Sequence, residues 1–474
     1  MTPTPGAAGL GSWIPCCWSS VATSTSVGCG PLPVRADRPA DPARLPQRRR
    51  RVGALPARTR AFPLHDSHSE QLGPQSILSG KHFRTSTTTW KVLDVPVEFL
   101  GIGGTNDGSE THARSGASFD KEYTLRLARA HEEHGWDRVL FAYGSGSPEP
   151  AQAAAYIATK LDKLQILLAH RPNVSYPTFA AKTFATLDQI SDGRLTVHFI
   201  TGGTDHEQQR EGDYLTKDQR YSRTREYIGI VKKAWTSREP FDHEGEHYRF
   251  ADFVSDVFPA QQPRPDVSFG GSSPAAYEAG GAEADIFCLW GEPLADTAAQ
   301  IESVKQAAKD AGRSDVPRIQ VAFRPILGAT EELAWAKAHR TVDAIKQRTT
   351  GGKSLTRRHS LTSPENTGSQ RLLEIAERGE RFDRALWTPT AAATGGAGNS
   401  NALVGTPETV AQALLDYYDL GVDILSARGY DMVDDTIDFG RYVIPIVREE
   451  VAKRDRERAT RVVEPRRESL AVDG

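Results

Sequence analysis

The stretch LQILLAHRPNVSYPTFAAKTFATLDQISDGRLTVHFITGG, residues Leu164–Gly203, holds one complete unit of the fold and the start of the next. Leu164–Ala169 is a short apolar run without strict alternation, the pattern of a strand covered on both faces. Pro177–Ile190 reads as an amphipathic helix. Leu195–Ile200 is a second continuous run, and it stops at Thr201-Gly202-Gly203, where small and polar residues take over. Strand, helix and strand in this spacing predict a parallel βαβ unit.

The same unit recurs on both sides. Further runs are Val97–Ile102 and Arg138–Ala142 upstream, with Asp266–Phe269, Ala284–Leu289, Ile319–Phe323 and Val422–Ser426 downstream. Between them lie the amphipathic segments Lys121–His134, Gln219–Trp235, Asp296–Ala311 and Glu331–Gln347. Thr406-Pro407 opens the last long helix as an N-cap followed by proline at the first helical position. Eight strands alternating with helices predict an α/β protein of the (β/α)8, or TIM-barrel, type. A doubly wound open sheet shares the alternation, but no G-x-G-x-x-G opens a helix after the first strand.

Two insertions interrupt the pattern. Phe241–Phe250 (FDHEGEHYRF) has a central glycine between polar and aromatic residues and reads as a hairpin. The second, from Arg348 to about Thr394, follows strand seven and contains Gly351-Gly352, Arg357-Arg358 and Pro364. Its length and composition predict a mobile lid, with a disordered surface loop as the competing expectation.

The 474 residues carry a net charge of −3, with 38% hydrophobic and 25% charged residues. That balance suits a globular protein with a sizeable core. The charge is unevenly spread: residues 1–93 carry +8 and the remainder −11. The acidic body argues against a nucleic-acid surface there. No apolar run reaches the 18 residues of a membrane span. Residues 1–93 contain 11 of the 29 prolines and the run Arg48–Arg51, without helical or strand periodicity. They read as a disordered basic leader, consistent with a start codon assigned too far upstream; a targeting peptide and a nucleic-acid-binding arm are the alternatives. Residues 94–455 then form the catalytic domain and 456–474 a charged flexible tail. Cys16, Cys17, Cys29 and Cys288 make neither a disulfide framework nor a zinc spacing, which points to the cytoplasm.

Active sites of such barrels lie at the C-terminal ends of the strands. Those ends read Gly103-Gly104-Thr105-Asn106, Tyr143-Gly144-Ser145-Gly146-Ser147, His170-Arg171-Pro172, Thr201-Gly202-Gly203, Gly270-Gly271-Ser272-Ser273, Trp290-Gly291-Glu292-Pro293, Arg324-Pro325 and Arg428-Gly429-Tyr430. Gly270–Ser273 leads directly into a helix, so its amides and hydroxyls suit a phosphate; an ordinary strand-to-helix turn is the bland reading. The histidines are scattered, with no HExxH or carboxylate cluster to hold a metal. No G-x-S-x-G elbow supports a serine hydrolase. A phosphate cradle without metal or nucleophile favours an organic cofactor that carries the chemistry.

Five blocks in register carry a family resemblance: RPNVSYPTFAAKTFATLDQISDGR at Arg171–Arg194, TGG at Thr201–Gly203, RYSRTREY at Arg220–Tyr227, FGGSS at Phe269–Ser273 and LWGEP at Leu289–Pro293. GGAGNSNALVGTPETVA at Gly395–Ala411 extends it. Together they resemble the bacterial luciferase-like flavin-dependent oxidoreductases, in particular the alkanesulfonate monooxygenase branch. The resemblance covers about residues 95 to 450.

That resemblance implies reduced FMN (FMNH2), supplied by a separate NAD(P)H-dependent flavin reductase, together with O2 and a small-molecule substrate. For an alkanesulfonate the products are sulfite and an aldehyde. Tyr221, Ser272 and Ser273 match the phosphate site, with Gly271 of the same turn as a further cofactor-binding residue, and Thr201 and Gly202 match the turn beside the cofactor. Trp290 matches a tryptophan near the isoalloxazine ring, and Tyr430 a tyrosine at the end of strand eight. For Tyr221 and Trp290, plain core packing competes with these roles. Ser147 and Asn106 join Trp290 and Tyr430 as residues expected to orient oxidant and substrate.

The chain also departs from the branch. Ala322-Phe323-Arg324 stands where the branch has Arg-x-His, Thr394 where the lid has an arginine, and Ser147 where the branch has a cysteine. Arg324 restores a positive charge suited to an oxyanion. A deazaflavin (F420)-dependent hydride-transfer enzyme and a non-catalytic flavin-binding homologue are the alternatives on the same scaffold. The resemblance further implies a homo-oligomer, a dimer or tetramer.

Overall fold

The computed structural model describes residues 97–350, 364–397 and 400–468. Eight strands run parallel: Glu98–Ile102, Arg138–Phe141, Gln165–His170, Leu195–Phe199, Asp266–Gly270, Ile286–Trp290, Arg318–Leu327 and Ile424–Ala427. Each pairs with its neighbours in chain order. The eighth pairs with the first, Leu100 lying opposite Ser426 on one side and Arg138 on the other, which closes the barrel. Closure leaves no barrel edge unpaired. The eight runs picked out by their apolar character are these eight strands.

The strands are largely apolar because both faces are covered. Leu100, Leu167, Ile286 and Ile424 form a cluster with Leu140 and Cys288 packed against it. The larger core lies between strands and helices, where Ala180, Ala181, Phe184, Ala185 and Leu187 of the helix Pro177–Ile190 are buried. The helix Lys217–Thr236 begins in a capping box, Thr216 and Gln219 satisfying each other's backbone amides, which fixes where its first turn sits. Thr406 caps the helix Pro407–Asp419 as expected.

The hairpin is present as Phe241–Glu244 paired with Arg249–Phe253. The insertion after strand seven differs from an open lid over its described part. Residues 364–394 carry the helix Thr367–Arg378, the short antiparallel pair Arg381–Phe382 and Leu386–Trp387, and the helix Pro389–Ala393. Leu386–Trp387 pairs with Ala402–Gly405, which in turn lies parallel to the end of strand seven. Strand seven runs on to Leu327 for that reason: its second half has a partner outside the barrel. Residues 351–363 of the insertion lie outside the described residues, as does the leader 1–93. The last helix, Ile444–Glu468, extends into the segment expected as a tail. Among the described residues no helix is long and apolar enough to cross a membrane, and no group of three or more His, Cys, Asp or Glu could hold a metal ion.

Candidate active site

The C-terminal ends of the strands open on a cavity of about 530 Å³, within the ~300–1,000 Å³ typical of cofactor and small-molecule sites. One wall is built for an anion. Gly271 has φ of +151°, and a Cβ there would lie 2.6 Å from the Ala276 Cβ, so glycine is required for the turn. Ser273 caps the helix Pro274–Glu283, its Oγ accepting from the Ala276 amide at 3.2 Å and donating to the Tyr221 Oη at 3.5 Å. Lys217 lies one turn before Tyr221, and both line the cavity with Ser272 and Ser273. The Lys217 Nζ donates to the Thr367 Oγ1 at 3.1 Å, which ties the insertion to this wall. A helix N-terminus, hydroxyls, a phenol and an ammonium thus converge, as a phosphate group requires.

The second wall is formed by Arg324 of strand seven and Arg428 just past strand eight. Both grip Glu110, in the long segment after strand one. Arg324 Nη2 donates to Oε2 at 2.7 Å and Arg428 Nη1 to Oε1 at 2.9 Å, with longer partners at 3.4 and 3.3 Å. Burial pushes the Glu110 carboxyl up, but the two guanidinium groups outweigh it and hold it well below the usual carboxylate range. The ring of Tyr430 lies under the Arg324 guanidinium, 4.3 Å from centroid to Cζ.

Between these walls runs a polar line across four consecutive strands. His198 Nδ1 lies 2.9 Å from the Ser268 Oγ, Ser268 Oγ lies 3.2 Å from the Cys288 Sγ, and Cys288 donates to the Gln320 Oε1 at 3.1 Å. Because the carbonyl end only accepts, the thiol donates to Gln320, the serine to sulfur and the Nδ1–H to serine. In that order His198 carries its proton on Nδ1 and its Nε2 is an acceptor; with the serine donating to Nδ1 instead, Nε2 carries the proton. Burial pushes the imidazole down to about 4 and the thiol up to about 12, so both are neutral near pH 7. A third group, Arg171, lines the cavity with Tyr143 and Glu207. It binds Glu207 and Glu211, each at 2.9 Å, and packs over the Tyr143 ring.

The sequence model of luciferase-like monooxygenases matches residues 101–424. The chain belongs to that family. Membership makes it an enzyme of the flavin-dependent monooxygenase kind. Solved structures share the fold at low identity. A riboflavin lyase, solved with modified FMN and riboflavin, superposes with a TM-score of 0.61 at 20% identity, covering 75% of this chain and 92% of that one. The EDTA monooxygenase of Chelativorans sp. BNC1 gives 0.60 at 18%, covering 75% and 94%. An F420-dependent secondary alcohol dehydrogenase, bound to an F420–acetone adduct, gives 0.55 at 15%, covering 74% and 99%.

In this luciferase-like monooxygenase the residues expected at the site divide in two. Thr201, Gly202, Tyr221, Gly271, Ser272, Ser273, Trp290 and Arg324 all line the cavity. At Gly202 φ is +92° and a Cβ would fall 2.0 Å from the Gln208 Nε2, so the turn excludes a side chain. Trp290 packs beneath the insertion, where a Cβ on Gly368 would sit 3.1 Å from its ring. Asn106, Ser147 and Tyr430 are not among the lining residues. Asn106 binds the Ser118 carbonyl and the Gly108 amide. The exposed Ser147 closes its own turn through the Gly144 carbonyl at 2.8 Å. Tyr430 is buried behind Arg324. Thr394 is also buried, bonded to the Ala391 carbonyl of its own helix.

Other residues at the site, Glu110 behind the lining among them, escaped the sequence. Lys217 had a signal in its i, i+4 spacing to Tyr221. Glu110 had none, because it lies in an irregular segment and its partners are 214 and 318 residues away. Asn366, Thr367 and Gly368 line the cavity from the insertion. That helix is pinned by Arg371, which donates to the buried Glu292 at 2.5 and 2.8 Å.

Proposed function

We propose that the enzyme uses reduced FMN, received from a separate NAD(P)H-dependent flavin reductase, to oxygenate a small organic anion, alkanesulfonates being the first class to test. The observation that carries this reading is the presence of two anion-binding walls in one cavity. The first suits a cofactor phosphate, and the second keeps a positive charge for a substrate head group. Monooxygenase neighbours in fold support the reaction type, and a neighbour solved with modified FMN supports the cofactor.

The residues present fit a flavin phosphate. Gly271 leaves open the space a Cβ would take, between Ala276 and the Tyr221 hydroxyl, and Lys217, Ser272, Ser273 and Tyr221 supply donors. When bound, the reduced flavin contributes two electrons and activates O2, so that one oxygen atom enters the substrate and the other leaves as water. The chain's own groups do the rest. The turn Thr201–Gly203 lets the backbone approach the ring closely. Arg324 and Arg428 hold the substrate's anion, with Tyr430 behind Arg324. With its proton on Nδ1, His198 takes a hydrogen bond at Nε2 from an N–H or O–H of the bound ligands. Asn366–Gly368 and Trp290 cover the cavity and keep water from the oxidant.

Full-length protein with FMN, NADH, a generic flavin reductase and a panel of short to medium alkanesulfonates should release sulfite above the enzyme-free control. FMN binding without sulfite would redirect the search to other anions. Binding of F420 in place of FMN would overturn the reading in favour of hydride transfer. The resemblance also leads us to expect a cytoplasmic homodimer or homotetramer. The exposed apolar Val174, Tyr176 and Phe179 offer a contact surface for it, and sedimentation of the full chain tests it.

A further inference from the structure

Two guanidinium groups and one carboxylate meet at the arginine wall, and their sum decides what the wall attracts. Arginine stays protonated in proteins. Glu110 is held ionised by the two cations it joins. Arg324 and Arg428 line the cavity while Glu110 does not, so the carboxylate cancels one positive charge from behind and leaves one in front. Beside burial, the groups acting most strongly on Arg324 are the phenol of Tyr430 and Glu110, and those acting most strongly on Arg428 are Arg324, Glu110 and Tyr430. None of these adds a second negative charge.

The wall is also short of acceptors. The Nε of Arg324 and the Nε of Arg428 are buried without a hydrogen-bond partner. Buried donors of this kind are normally satisfied, and here two of them flank a single uncompensated charge. Glu110 is held in turn by its neighbour Ser109, whose carbonyl accepts from the Arg348 Nη1 at 2.9 Å. The carboxylate is therefore a fixed part of the wall.

We infer that Glu110 sets the charge of the substrate's head group at minus one, so that the enzyme takes a monoanion such as a sulfonate or carboxylate and rejects a dianion of the same shape. This rests on the reading of the arginine wall as the substrate site. A dianion would leave an uncompensated negative charge in a buried place, and a neutral group would leave the guanidinium unpaired. Within contact distance and out of bulk water, one unit of charge is worth at least about tenfold in binding.

The test compares an alkylsulfonate with the alkylphosphonate of equal chain length, by calorimetry on the full chain. Wild-type enzyme should hold the sulfonate with an affinity independent of pH near neutrality. Its affinity for the phosphonate should fall as pH rises and the second proton leaves. Glu110→Gln raises the wall from one positive charge to two, and should shift the phosphonate-to-sulfonate affinity ratio at high pH at least about tenfold toward the phosphonate. Should that variant fail to fold, the wild-type pH dependence alone decides. A phosphonate affinity that rises with pH, or a ratio unmoved in Glu110→Gln, overturns the charge assignment while leaving the anion site standing. Failure of both ligands to bind overturns the anion site itself.

Discussion

The two walls of the cavity, both proposed to hold anions, are built by different means. The Gly270–Ser273 wall takes its backbone amides and two hydroxyls from consecutive residues, and a lysine and a phenol from the start of one other helix. The Arg324–Arg428 wall is assembled from three segments far apart in the chain, and its charge depends on a carboxylate that none of them announces. The first wall is a local structure with local costs. The second is a buried ion network, in which removing one member strands the others.

The largest effect should come from breaking that network. Arg324→Met leaves Glu110 buried with one partner, and unfolding stability should fall by about 3 kcal/mol. Turnover of the anionic substrate should be lost with it, while FMN affinity in the surviving folded protein stays near wild type. Denaturant titration beside an FMN titration checks both, and an equal loss of FMN affinity would show that the walls are not separate.

Gly271→Val attacks the other wall. A side chain is strained at this φ and meets Ala276, so FMN binding should weaken by about 2 kcal/mol, roughly thirtyfold in Kd. Affinity for a sulfonate measured without flavin should not change.

Acid should separate the walls from the barrel body. His131 and His170 are buried within the body, where burial holds them at about 4 and about 3. Unfolded histidines titrate near 6.5, so the unfolded state binds more protons below that pH. This contribution is fully present above pH 6.5 and is lost as pH falls toward 3, at up to about 1.4 kcal/mol per pH unit for each histidine. Variants of either wall should follow wild type in this range. Glu110, with its pKa depressed from 4.5, adds a further loss only below about that pH. Glu110→Gln should therefore be less stable than wild type by a constant margin above that pH, and the margin should narrow only below it. A margin that already narrows at pH 6 would mean that Glu110 is not held ionised by the arginines.

The smallest effect is expected at Ser147, whose hydroxyl serves its own exposed turn. Ser147→Ala should change stability by no more than about 0.5 kcal/mol and leave kcat/KM unaltered. A tenfold fall in kcat/KM would return this residue to the active site.

How much was legible follows from the range of the interactions involved. The barrel strands stand out because each is covered on both faces, so most runs from Val97–Ile102 to Val422–Ser426 are largely apolar without help from their neighbours. The exception is strand seven, whose extension to Leu327 depends on Ala402–Gly405, a partner about eighty residues away. The insertion resisted for a related reason. Thr367–Arg378 is helical and held to the barrel by Arg371 on Glu292, but its sequence is polar and its apolar face short. Length and composition pointed to a mobile lid, and only the docking partner shows a packed helix.

The sequence by itself determined the barrel and the glycine turns at the strand ends, because each depends on residues adjacent in the chain or on a face period of a few residues. Only the tertiary structure decided which strand-end residues share the cavity. It turned Asn106, Ser147 and Tyr430 away from the lining, brought in Lys217, and set Glu110 behind Arg324 and Arg428. Charge at a buried site is a sum over groups that closure of the barrel brings within a few ångströms, and that sum has no periodic signature along the chain.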